Sequence, residues 1–107
     1  MKIVFSQNLY NFQQVALKSP DGAILTLGDI CIEALLMTQA NTQIDGKEKY
    51  KRYELAKALD GATEADLSAE DVTLIKKLVG DIYTPLVVGL VYDALEGKTK
   101  TKISMVR

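Results

Sequence analysis

The side chains of this chain that could do chemistry are few: one cysteine, Cys31, a dense group of carboxylates at Asp60, Glu64, Asp66, Glu70 and Asp71, and two gatherings of basic residues, with no histidine anywhere. Without imidazole there is no Ser-His or Cys-His nucleophile pair, and the commonest neutral-pH acid-base group and transition-metal ligand is missing. Cys31 falls inside an apolar helical pattern, the setting of a buried structural thiol, and a lone cysteine forms no intrachain disulfide. The carboxylates and lysines that remain are spaced like solvated helix faces. A non-enzymatic protein is expected, with no catalytic residue, no cofactor and no metal.

The acidic segment comes nearest to a known ion-binding pattern. Asp60 to Asp71 has the length of a calcium loop between two helices, with Asp60 first, apolar Leu67 in the eighth position and Asp71 last. Ala62, however, stands where the third position must donate an oxygen, and Ala65 where the turn demands glycine. Capping of the next helix at Ser68, with Glu70 and Asp71 in its first turn, is the expectation instead.

Charge is unevenly placed although the net value is −1. The end of the chain carries Lys98, Lys100, Lys102 and Arg107, and the 45–59 stretch carries Lys47, Lys51 and Arg52 among its basic residues. These seven are the candidate interaction residues, the tail as an electrostatic arm for phosphate or an acidic protein face. The competing reading is a solvated terminus and an exposed helix held by pairs such as Glu48 with Arg52. No aromatic residue interleaves the tail lysines and the whole chain is not basic, so nucleic acid is not the expected partner. Nor is a membrane: no apolar run reaches the ~18 residues of a span, and the first dozen residues lack the apolar core of a secretion signal. Composition and the lone cysteine predict an intracellular, cytosolic protein.

The elements that position these residues follow from periodicity and punctuation. With 107 residues the chain has the size of one domain. Residues 1–25 read as extended and irregular, with a short strand at Ile3–Phe5 and a β-hairpin whose arms, Val15–Lys18 and Ala23–Leu25, flank the turn Ser19-Pro20-Asp21-Gly22. Thr26 with Asp29 forms a capping box for a helix running to about Thr38, which places Leu27, Ile30, Cys31, Ala34 and Leu35 on one face. A solvent-facing helix is expected over 47–59, with Tyr53, Leu55, Ala56 and Leu59 as its narrow apolar side. Ser68 starts a third helix with a stripe of Val72, Ile75, Leu78, Val79 and Ile82, and Thr84-Pro85 starts a fourth.

The fourth helix, Thr84 to Gly97, is apolar on nearly every side, so Leu86, Val87, Leu90 and Val91 are expected as core or interface, with Leu86, Leu90 and Val91 buried and Gly89 at the closest helix approach. Those apolar residues also exclude it as a DNA-reading recognition helix. The predicted fold is mainly α with minor β: an N-terminal hairpin or short strands, then four helices in two helical hairpins with the last helix central. One domain is expected over 1–97, followed by a basic tail or edge strand over 98–107, with no internal repeat.

At LTLGDICIEALL, at KYKRYELAKAL and at DLSAEDVTLIKKLVGDIYTPLVVGLVYDALEG the chain resembles a family of small uncharacterised proteins of tailed bacteriophages and prophages. The resemblance runs from about Leu25 to Glu96, carries no catalytic motif, and implies a phage-encoded protein acting in the cytoplasm of a bacterial host. The leading expectation is an interaction or regulatory protein that binds a protein partner, or itself as a homodimer. A virion, tail or head assembly factor is the second, and a nucleic-acid-associated regulator using the lysine tail the third.

Overall fold

The computed structural model describes residues 2–37 and 43–97. In chain order these form β1 (Lys2–Val4), α1 (Leu27–Leu36), α2 (Gly46–Leu59), β2 (Glu64–Asp66), α3 (Ala69–Ile82) and α4 (Pro85–Leu95). The class is mainly α with minor β. Lys98, Lys100, Lys102 and Arg107, and with them the tail expectation, lie outside the described residues, as does Thr38.

Three of the four helices start where a side chain accepts from a first-turn N–H group. The Thr26 hydroxyl accepts from Asp29 N at 3.1 Å while the Asp29 carboxylate accepts from Thr26 N at 3.0 Å, a complete capping box. Asp45 accepts from Glu48 N and Ser68 from Asp71 N, satisfying the same orphan donors in α2 and α3. Thr84 makes no side-chain cap, and Pro85 instead fills the first position of α4, where a missing N–H costs nothing.

The core is continuous. Leu27, Ile30, Cys31, Ala34 and Leu35 of α1 are buried, facing Ala56 and Leu59 of α2 and Val72, Ile75, Leu78 and Val79 of α3. The pairs α1 with α2 and α3 with α4 form the two helical hairpins, and α1 also packs on α3. The helices therefore pack in the order α2, α1, α3, α4, with α1 and α3 in the middle, which corrects the expectation of a central α4. Of the four residues expected in its core face, only Val91 is buried; Val87 and Leu90 are half-buried and Leu86 is exposed. The reason is geometric: α4 turns Val91, Ala94 and Leu95, at i, i+3 and i+4, into the core, and an all-round apolar sequence does not say which side faces inward. Gly89 is likewise not a close approach, since a Cβ there would meet nothing within 4 Å.

β1 pairs antiparallel with β2 in the register Lys2 with Asp66, Ile3 with Ala65 and Val4 with Glu64. The acidic segment therefore does not coil into a calcium loop. Its middle is extended, so Glu64 and Asp66 flank Ala65 on the pleat, and Ser68 caps α3. Among the described residues no group of three or more Cys, Asp or Glu side chains could hold a metal ion, and no helix is long and apolar enough to cross a membrane.

Between β1 and α1 the chain builds an arm with a repeat of eight residues, which was not expected. Leu9, Leu17 and Leu25 sit at its centre: Leu17 N donates to Leu9 O and Leu25 N to Leu17 O, both at 2.9 Å. Three bridges surround them, Tyr10 with Ala16, Lys18 with Ile24, and Asn8 with Thr26, so each extended segment meets the other two. The hairpin expected around Ser19–Gly22 is one side of this triangle. Leu9 is buried and Leu17 and Leu25 pack against the core, while Leu27 N to Gln7 O and Gly28 N to Phe5 O, each 2.9 Å, fasten the arm's root to α1. A Cβ on Gly28 would stand 3.2 Å from Phe5 O, which is why that position has none.

Candidate functional site

The two turns of the arm are the same structure built from different residues. In the second, Gly22 N donates to Ser19 O at 2.9 Å and Ser19 N to Ala23 O at 2.8 Å, with Gly22 at φ +93°. In the first, eight residues earlier, Gln14 N donates to Asn11 O at 2.9 Å and Asn11 N to Val15 O at 3.0 Å, with Gln14 at φ +66°. Each is a three-residue hairpin connection closed by a left-handed residue. The second has the residues this geometry favours: Pro20 at the first corner, Asp21 accepting from Ala23 N, and glycine at the left-handed position. The Ser19 hydroxyl also bonds the Asp21 carboxylate and, with Ala23 N, holds its pKa below the ordinary value.

The first turn breaks that pattern at two positions. Gln14 occupies the left-handed region, where an L side chain costs roughly 1–2 kcal/mol. Phe12 takes the corner that Pro20 fills in the second turn, and it is 85 % exposed. The turn nevertheless holds, because the Asn11 side-chain oxygen accepts from both Gln13 N and Val15 N, at 2.9 and 3.0 Å. Tyr10, Val15 and Ile24, all on the same arm, are each close to half exposed. A strained, side-chain-braced turn thus carries an aromatic ring into solvent on a base anchored to the core. Chemically this surface can bind by apolar and aromatic contact.

The charged candidates are arranged otherwise. Lys47 and Lys51 lie exposed on the outer side of α2, beside a cleft of about 460 Å³ that Asp45, Glu48, Tyr50 and Glu54 also line. Arg52 is not with them: its guanidinium turns back to Glu48 at 3.1 Å, the i, i+4 pair expected from the sequence. Tyr53, expected on the apolar side of α2, is 48 % exposed, with Lys57 Nζ 5.6 Å from its ring centre and Tyr50 5.9 Å away.

The remaining reactive groups are tied into the fold. Burial pushes the Cys31 thiol up to about 12, far from a usable thiolate. The Tyr83 hydroxyl donates to Glu33 at 2.5 Å, and burial followed by that carboxylate raises its pKa, so it serves to join α1 to the α3–α4 corner. Tyr92 donates to Lys76 O at 2.9 Å, and the Lys76 ammonium, over the same ring, pairs with Glu96.

Phe12, Tyr10, Val15 and Ile24 were not among the residues singled out from the sequence. The signal that could have found them is the equivalence of NFQQV to SPDGA eight residues on, with phenylalanine and glutamine where a turn of this kind prefers proline and glycine. Compared with protein-family profiles, curated proteins and solved structures, the chain finds no match in any of the three.

Proposed function

We propose that this chain is a non-enzymatic, phage-encoded protein that works in the bacterial cytoplasm by binding another protein, and that the Phe12 turn is its docking element. One observation carries the reading: Phe12 is 85 % exposed on a turn whose backbone is strained at Gln14. Local rules broken without a gain in stability are the mark of a site kept for function. An aromatic side chain presented on a short, braced turn loses little conformational freedom on docking, which is how such rings come to dominate protein interfaces. The bacterial and phage setting rests on the resemblance of Leu25 to Glu96 alone.

The test is affinity capture from the native host with the wild-type chain and with Phe12→Ser as paired baits. The reading expects a discrete protein to be retained by the wild type and lost with Phe12→Ser, while far-UV circular dichroism and melting stay unchanged. Identical retention by both baits would remove the turn from the account.

A further inference from the structure

The outer face of α2 is self-complementary. From one end of the helix to the other it presents Lys47, Tyr50, Tyr53 with Glu54, Lys57, and Asp60 at the C-cap, all exposed. Tyr50 is 60 % exposed, and no other element of the described fold covers this side. Two of the charges are placed against their own helix. Lys47 stands in the first turn, where the N–H groups make the field positive, and Asp60 stands where unpaired carbonyls make it negative. Neither has an ion-pair partner within the described residues.

We infer that α2 is a two-fold interface, and that its occupant is α2 of a second copy running antiparallel. In the register that centres the two helices between Tyr53 and Glu54, Lys47 of each copy lies level with Asp60 of the other and Tyr50 with Lys57, while Tyr53 and Glu54 flank the two-fold axis. Every contact occurs twice, as an isologous interface requires. The antiparallel arrangement also opposes the two helix dipoles and gives each misplaced charge a compensating partner at its own end. A crossing angle near 20°, usual for this kind of packing, keeps both ends in reach, because each lies only about 10 Å from the centre. Lys57, already above the Tyr53 ring, would bridge that ring to Tyr50 of the other copy. The contact is one helix face wide and mostly polar, so it belongs with the small, weak interfaces and should weaken with salt. It involves none of the arm residues and does not depend on the role proposed for Phe12.

Sedimentation velocity over micromolar to near-millimolar concentrations tests it, with Lys47→Glu, Asp60→Lys and the two combined. The expected result is a concentration-dependent dimer whose dissociation constant rises about tenfold or more in either single variant, since each reversal replaces two attractions by two repulsions. The combined variant should recover most of the loss. Monomer melting guards against misfolding as the cause, because both single changes improve the match to the helix dipole and should leave the melting temperature equal or higher. A chain that stays monomeric throughout, a dimer indifferent to both reversals, or a combined variant weaker than either single one would overturn the inference.

Discussion

Replacing a side chain by glycine usually destabilises a protein, but Gln14→Gly should do the opposite. Gln14 sits at φ +66°, where its Cβ crowds the backbone at a cost of roughly 1–2 kcal/mol. Glycine removes that cost and adds about 0.5–1 kcal/mol of unfolded-state entropy, leaving a net gain of about 0.5–1 kcal/mol. For a domain of this size the gain corresponds to a rise in Tm of roughly 2–8 °C. The second turn supplies the internal control: Gly22, at φ +93° with nothing near its missing Cβ, should lose about 1 kcal/mol or more on Gly22→Ala, purely from backbone strain. Thermal and urea unfolding followed by circular dichroism measure both. A lower Tm for Gln14→Gly would mean that the first turn does not hold its left-handed residue, and the equivalence of the two turns, with the argument built on Phe12, would fall.

Four further outcomes follow from the packing. Cys31, with its thiol at about 12, should resist alkylation at pH 8 in the native state and react only as the domain unfolds, so that urea, and not a moderate rise in pH, sets the labelling rate measured by mass spectrometry. Because the folded pKa lies above the ordinary 9.0, Cys31 contributes stability that is complete below pH 9 and lost on the way to pH 12, with a slope of about 1.4 kcal/mol per unit that Cys31→Ala should abolish in urea titrations at alkaline pH. Gly89→Ala should stabilise by about 0.8–1 kcal/mol because the site is open and helical, whereas Gly28→Val should cost about 1–3 kcal/mol by forcing Phe5 away, both read from urea midpoints.

The helix boundaries were legible because their causes are local. Thr26 with Asp29, Ser68, and Thr84-Pro85 each satisfy or remove orphan N–H groups within a few residues, and all mark true starts. The stripe of α1 was readable for the same reason, since Leu27, Ile30, Cys31, Ala34 and Leu35 repeat with the helix and are all buried. What could not be read depends on distant partners. Glu64-Ala65-Asp66 has no strand character of its own and becomes β2 only because Lys2–Val4 lies alongside. In α4 the apolar residues have no preferred side, so burial could be expected but not its direction. The arm was hidden by its spacing: eight residues between leucines matches neither a helix nor a single strand, and its meaning lies in three segments closing on one another. Tyr53 shows the same limit in small, an aromatic residue on the apolar side of a helix by count that the neighbouring chain leaves in solvent.

The most direct test of the central claim is site-specific photo-crosslinking in the native host, with benzoylphenylalanine placed at position 12 and, as a control, at Lys77, which is exposed on a different element, α3. The account predicts a discrete adduct with a protein other than this chain from position 12 and none from position 77. Equal adducts from both positions, or none from position 12 in cells where the protein is expressed and folded, would contradict it.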